Sequence, residues 1–223
     1  MSSWAVLVAA GRGERLGEDR PKAFVRLGGL PLLAEPLRRL DDSPWIDAIV
    51  LVAPPGWEEP AILLAEEVGA AKVSACVTGG ATRLDSVRAG VAEVPEDAAL
   101  ILVHDAARPL VADGVLERLV AALGQGFDGA VPALPVSDTI KRVRGGVVES
   151  TLVREELVAV QTPQAFVAAV FRAAILAGSA DRSATDCASL VEAAGGRVTA
   201  VEGDERLLKV TTRADLERVA AWL

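Results

Sequence analysis

Val6-Leu7-Val8-Ala9-Ala10 runs directly into Gly11-Arg12-Gly13-Glu14-Arg15-Leu16-Gly17, and Arg20-Pro21-Lys22 follows. An apolar run of strand length that opens into a glycine-rich loop is where an open α/β sheet holds phosphates, because glycines let backbone N–H groups approach an anion closely. Three loop types compete for this stretch. A Walker A loop needs Lys-Ser or Lys-Thr after its second glycine, and neither is present. A dinucleotide fingerprint needs a third glycine where Leu16 stands and a helix directly after, whereas Gly17, Asp19 and Pro21 prolong the loop. The third type is Ala-Ala-Gly-x-Gly-x-Arg with a lysine seven residues on, which lets Arg15 and Lys22 both reach a triphosphate. By itself the loop also reads as a tight turn with solvated charges.

Outward from this loop, apolar runs recur at strand length: Trp4–Ala10, Ala48–Ala53, Lys72–Val77, Ala99–Val103 and Gly129–Leu134. Each is nearly continuous rather than alternating, as in strands covered on both faces. Helical patterns lie between them, at Pro31–Leu40, Glu58–Val68, Arg83–Val94 and Asp113–Leu123. The alternation predicts an α/β fold with a Rossmann-like, mostly parallel sheet flanked by helices and right-handed crossovers. The rhythm breaks from Val136 to Leu152, where Gly145-Gly146 sits between two β-prone runs and signals a protruding β-hairpin arm. Such an arm is marginal alone and is expected to pack on something, such as a second subunit. Beyond it we expect a helix over Ala184–Ala194, strands over Arg197–Val201 and Leu207–Val210, and a closing helix over Thr212–Leu223 with Thr212 as N-cap and Asp215 near its positive end. The expected organisation is one domain over residues 1–223, with residues 136–156 as the arm.

Composition narrows the function. The chain has 223 residues, a formal net charge of −8 and no tyrosine. An acidic chain is a poor general binder of nucleic acid, so an anionic ligand must meet locally gathered cations. Cys76 and Cys187 form no metal-ligand spacing and read as ordinary thiols of a reducing cytoplasm. The first apolar run lacks a basic flank, and no run approaches the ~20 residues that span a bilayer. A cytoplasmic protein without nucleic-acid or membrane partners is expected.

Two further loops follow strands. Leu100-Ile101-Leu102-Val103 runs into His104-Asp105-Ala106-Ala107-Arg108-Pro109. An acid just past a buried strand suits a hard cation facing a phosphate, since Mg²⁺ takes one or two carboxylates plus water and substrate phosphates. In isolation Asp105 is equally a turn or capping residue. His104 is the only histidine, and with no G-x-S-x-G elbow it reads as structural rather than as a catalytic base. Gly79-Gly80-Ala81-Thr82-Arg83-Leu84-Asp85-Ser86 edges a base or ribose pocket, or simply starts a helix capped by Thr82 with Asp85.

In order along almost the whole chain, these segments resemble the 2-C-methyl-D-erythritol 4-phosphate cytidylyltransferase family. The resemblance lies in Ala9 to Arg15, Pro21-Lys22, Gly79-Gly80 with Arg83 to Ser86, Val103 to Pro109, Pro135-Val136 with Asp138 to Lys141, Gln161 to Gln164, Thr185-Asp186 and Lys209 to Thr211. It implies catalytic roles for Arg15, Lys22 and Lys209. It implies CTP contacts at Ala9, Ala10, Gly11, Gly13, Gly80, Ala81, Ser86 and Ala106. Acceptor contacts are implied at Arg108, Thr139, Arg154, Thr162 and Thr185, with Mg²⁺ held by Asp105 and a homodimer joined through the arm. Ala81 and Cys187 depart from the family pattern, each standing where an acid is common. Three alternatives stay open at this point: a cytidylyltransferase for another polyol phosphate such as ribitol 5-phosphate, an NAD-dependent dehydrogenase, and a non-catalytic nucleotide-binding module.

Overall fold

A computed structural model describes residues 2–11, 13, 19–178 and 186–223. In chain order it begins with β1 (Ser3–Val8), a short ribbon of β2 (Arg26–Leu27) and β3 (Leu30–Pro31), and α1 (Ala34–Asp42). Then come β4 (Ala48–Ala53), α2 (Glu58–Glu67), β5 (Val73–Thr78), α3 (Arg83–Ala92), β6 (Leu100–Asp105), α4 (Asp113–Gly124) and β7 (Gly129–Pro135). The hairpin is β8 (Lys141–Arg144) and β9 (Val147–Thr151). After it follow β10 (Val158–Val160), β11 (Gln164–Val167), α5 (Ala168–Ala177), α6 (Ala188–Ala193), β12 (Val198–Glu202) and α7 (Arg213–Ala220).

The main sheet has the order β10-β7-β11-β6-β1-β4-β5, with β12 also pairing β7. Pairs β6-β1, β1-β4, β4-β5 and β7-β12 are parallel. β11 runs antiparallel between β6 and β7, and β10 runs antiparallel to β7, so the sheet is mostly parallel but mixed. Successive strand residues point to opposite faces, and on β1 this sends Ala5 and Leu7 into one apolar layer and Val6 into the other. The first layer also takes Leu37 and Leu40 of α1 and Leu116 and Leu119 of α4. The second takes Val87 and Val91 of α3 and Phe171 of α5. Each such fully buried side chain contributes roughly 1.5–3 kcal/mol over an exposed one. Gly90 lets α3 close on β1, because a Cβ there would collide with Val6 Cγ1.

The hairpin turn has Gly145 at φ 56° and Gly146 at φ 81°, the left-handed pair that a two-residue turn requires. Thr212 caps α7 reciprocally with Asp215 as expected. Two expectations need correction. The first helix starts at Ala34 rather than Pro31, because Leu30–Pro31 pair with Arg26–Leu27. Leu207–Val210 is no strand: a 3-10 turn at Glu205–Leu207 precedes a segment that crosses the sheet's carboxyl edge and is tied by Val210 N to Ala107 O at 2.8 Å. The antiparallel β11 and the helix α5 that follows it without a loop were not anticipated, because four residues merging into an alanine-rich helix show no change of period. The expected start of the helix over Ala184–Ala194 lies outside the described residues; its described part begins at Ala188.

Candidate active site

A cleft of about 700 Å³ opens at the carboxyl edge of the parallel strands. The ends of β1, β4, β5 and β6 supply its walls through Ala9–Gly11, Pro54-Pro55 with Trp57, Gly79–Arg83, and Asp105–Ala107. Lys22 and Lys209 line it as well. Parallel strands that carry their loops at one edge place ligands there.

The first loop folds back on itself, with Lys22 N donating to Gly11 O at 3.3 Å. Gly13 has φ 73°, and a Cβ on it would stand 2.6 Å from Lys22 Cβ, so only glycine fits the return. Lys22 opens a 3-10 turn whose next residues, Ala23 and Phe24, are buried. Phe24 packs against Trp57 with ring centroids 4.5 Å apart. The lysine is therefore carried on an anchored turn, not on a free loop. Arg15 lies outside the described residues.

The second loop presses against the first. A Cβ on Gly79 would strike Ala10 Cβ, and Gly79 N donates to Ala53 O at 2.8 Å. Ser86 Oγ accepts from Gly80 N at 3.1 Å and donates to Thr82 O at 3.0 Å. Its hydroxyl proton is spent on shaping the loop. Thr82 and Asp85 complete a capping box at the start of α3. The N-terminus of α3 thus faces the cleft with its loop closed tightly enough for backbone groups to meet a ligand.

At the end of β6 the Asp105 carboxylate holds two cations. Arg83 Nε is 2.9 Å from Oδ1, and Lys209 Nζ is 2.7 Å from Oδ2. The Asp105 side chain is 10% exposed and that of Lys209 is 40% exposed. Burial favours the neutral acid, but the charges of Arg83 and Lys209 outweigh it and hold the carboxyl well below the usual carboxylate range. Arg83 also donates from Nη1 to Cys187 Sγ at 3.4 Å. Burial pushes the Cys187 thiol up to about 11, so it is a neutral partner at pH 7. Two cations against one carboxylate leave this cluster net positive.

Behind Asp105, His104 is fully buried between Arg108 O and Thr162 Oγ1. Arg108 turns its guanidinium to Leu207 O at 2.6 Å, two residues before Lys209 in the chain. Gln161 clamps Asp204 with both ends of its amide. Gln164 accepts from Cys187 N at 3.1 Å and donates to Asp186 Oδ2 at 2.9 Å, which fixes the turn that carries Cys187 to Arg83.

Of the sequence-derived site residues, Ala9, Ala10, Gly11, Lys22, Gly80, Ala81, Ser86, Asp105, Ala106 and Lys209 all line the cleft. Gly13 packs on Lys22 beside them. Thr162 and Arg108 stand directly behind Asp105. Thr139 and Arg154 are not among the lining residues; both are exposed near the hairpin, where Arg154 Nη1 donates to Ser137 O at 2.8 Å. Thr185 lies outside the described residues. Sequence reasoning missed Arg83 as the partner of Asp105, because its position just after a capping threonine reads as an ordinary helix start. It also missed Trp57, which follows a Pro-Pro-Gly turn and carries no signal of its own.

A parallel-sheet cleft walled by glycine loops, with cations gathered round one held carboxylate, has what a nucleotidyltransferase site requires. The family profile described as IspD, 2-C-methyl-D-erythritol 4-phosphate cytidylyltransferase, matches residues 3–223, and the chain belongs to that family. It is 47% identical over 213 residues to a 2-C-methyl-D-erythritol 4-phosphate cytidylyltransferase of Nocardia farcinica, across 95% of this chain and 90% of that protein. Identity to the protein of that name from Saccharopolyspora erythraea is 46% over 227 residues, covering 100% of both. The crystal structure of the Thermus thermophilus cytidylyltransferase superposes with a TM-score of 0.79 at 35% identity, covering 97% of this chain and 96% of that one. The dehydrogenase and non-catalytic alternatives fall with this membership. Among the described residues no helix is long and apolar enough to cross a membrane.

Proposed function

We infer that the chain transfers CMP from CTP to 2-C-methyl-D-erythritol 4-phosphate, releasing pyrophosphate and forming 4-diphosphocytidyl-2-C-methyl-D-erythritol. The observation that carries this reading is the Arg83–Asp105–Lys209 cluster at the floor of a glycine-walled cleft. A phosphate monoester has its second pKa near ~6 and is largely a dianion at pH 7, so it attacks without a general base. Its oxygen bonds to the α-phosphorus of CTP as the bond to the β-phosphate oxygen breaks and pyrophosphate leaves. The protein supplies position and positive charge. Lys22 and Lys209 meet the phosphates from two sides of the cleft, with Arg15 on the first loop, while Gly80, Ala81 and Ala106 wall the nucleoside. Arg108, Thr162 and Thr185 serve the acceptor side.

Asp105 fits a divalent cation. It is held anionic, and each oxygen accepts one N–H, which leaves a second lone pair on each. Among the described residues no group of three His, Cys, Asp or Glu is placed to hold a metal; an ion held by Asp105 would draw its other ligands from substrate phosphates and water. When bound, Mg²⁺ neutralises charge that develops on the phosphates.

The hairpin region supports a dimer. Val143, Val147, Val148, Val153, Val158 and Val160 are all exposed large apolar side chains on or beside it. A second copy of the chain covers exposed valines of this region and brings Thr139 and Arg154 to the neighbouring cleft.

Pyrophosphate release tests the function. Purified protein with CTP and Mg²⁺ is assayed with and without 2-C-methyl-D-erythritol 4-phosphate, with ribitol 5-phosphate in parallel. Release that depends on the methylerythritol phosphate is expected. Release with ribitol phosphate alone overturns the acceptor, and silence in every tube from folded protein overturns the reaction.

A further inference from the structure

His104 lies one residue before Asp105 and is fully buried, and no step of CMP transfer uses it as an acid or base. Its Nε2 stands 2.9 Å from Arg108 O, and its Nδ1 3.1 Å from Thr162 Oγ1. A carbonyl only accepts, so Nε2 carries the hydrogen and donates. A neutral imidazole carries a single ring hydrogen, and the Arg108 carbonyl claims it. Nδ1 therefore accepts from the Thr162 hydroxyl. Asp105 N donates to the same hydroxyl oxygen at 3.1 Å. One ring thus ties the strand end, the residue-162 segment and the turn after β6, with every polar atom used.

That turn holds Lys209. Arg108 N donates to Asp105 O at 2.9 Å and closes the turn. On one side of Lys209, Val210 N donates to Ala107 O at 2.8 Å. On the other, Arg108 Nη1 donates to Leu207 O at 2.6 Å. Both flanks of Lys209 are gripped by residues 107 and 108, and His104 grips residue 108 in turn. We propose that His104 is a positioning residue: by pinning Arg108 O and orienting Thr162 it sets the Asp105–Arg108 turn, and through it the place of Lys209 against Asp105. The proposal rests on the reading that Lys209 and Asp105 serve CMP transfer.

Two near-isosteric variants separate the two ends of the ring. His104→Asn keeps an acceptor at the Nδ1 position and drops the donor to Arg108 O. His104→Gln keeps the donor at the Nε2 position and drops the acceptor for Thr162. Because the grip on Lys209 runs through Arg108, His104→Asn is expected to lower kcat by about 10–100-fold, the cost of misplacing a reacting group by about 1 Å or less, and His104→Gln by clearly less. A simple packing role gives no such split. A double-mutant cycle decides it: in a Lys209→Ala background His104→Asn is expected to cost less than about threefold, because the group it positions is gone. Where His104→Asn does not fold, His104→Gln enters the same cycle: its smaller loss is expected to shrink further in the Lys209→Ala background, and a loss that persists undiminished overturns the proposal. Equal losses in both backgrounds, or Asn and Gln variants that behave alike, overturn the proposal while the function stands. A wild type that releases no pyrophosphate overturns both.

Discussion

Lys209 Nζ and Asp105 Oδ2 meet at 2.7 Å although 104 residues of chain separate them. The pair joins the end of β6 to a segment outside the sheet, and under the proposed function it gives the Asp105 carboxylate two tasks: anchoring a lysine and offering an oxygen to a cation. Asp105→Asn keeps the shape and removes the charge. It is expected to lower kcat by at least about 100-fold, in the range for loss of one preorganised electrostatic contact, and to raise the Mg²⁺ concentration needed for half-maximal rate. A metal titration of pyrophosphate release measures both. An unchanged metal requirement removes Asp105 as a ligand.

Lys22 is held on its anchored turn by buried Ala23 and Phe24, so its removal tests chemistry rather than folding. Lys22→Ala is expected to cost on the order of 3–4 kcal/mol in the transition state, seen as a kcat at least about 100-fold lower with the circular dichroism spectrum unchanged. A variant within a few-fold of wild type removes Lys22 from the reaction.

The buried His104 makes stability depend on pH. Its pKa falls from 6.5 to about 4 on folding, chiefly through burial. Above pH 6.5 neither state is protonated and nothing is lost. Between 6.5 and 4 the unfolded chain binds a proton that the folded chain refuses, so stability falls as pH falls, by about 2 kcal/mol at pH 5. Asp105 adds to the loss only lower down, because its depressed carboxyl contributes stability that disappears below the ordinary carboxylate pKa of 3.8. Urea unfolding at pH 7 and pH 5 measures the difference. His104→Asn is expected to flatten the dependence by about the same 2 kcal/mol, and an equally steep variant assigns the slope elsewhere.

The two glycine loops touch through Gly79, where an added Cβ strikes Ala10. Gly79→Ala has to push the loops apart, and overpacking of this kind costs typically 1–3 kcal/mol. The expected result is a raised KM for CTP with the KM for the acceptor little changed, together with a lower Tm. Equal increases in both KM values would place the contact outside the nucleotide pocket.

What the sequence disclosed follows from how its signals are coded. Continuous apolar runs with helical patterns between them placed β1, β4, β6 and β7 and both glycine loops, because burial on two faces and close backbone approach each need particular residues at particular positions. Asp105 stood out because its run of buried residues ends in charge. Arg83 and Lys209 meet Asp105 only in three dimensions; nothing in their local sequence marks the partner. The same holds for the grip of residues 107–108 on 207–210, which led to a strand being expected where the chain only crosses the sheet edge. Tertiary polar contacts between distant loops leave no period to read.

Arg154 provides the last test, one of assembly. Its guanidinium rests on Ser137 O and Glu155 in the hairpin region that also exposes several valines, and it is not among the residues lining this chain's own cleft. If the hairpin region is the contact between two copies, Arg154 reaches the partner's acceptor site. Arg154→Ala is then expected to raise the KM for 2-C-methyl-D-erythritol 4-phosphate by about tenfold or more, the worth of one charge-assisted contact of roughly 1.5–3 kcal/mol, while the KM for CTP holds. Light scattering of the wild type should give twice the chain mass. Replacing Val147 and Val148 by lysine, which opposes like charges across such a contact, should shift it toward the monomer and raise the same acceptor KM without touching Arg154. A monomer of full activity excludes both the dimer and the role of Arg154 in it.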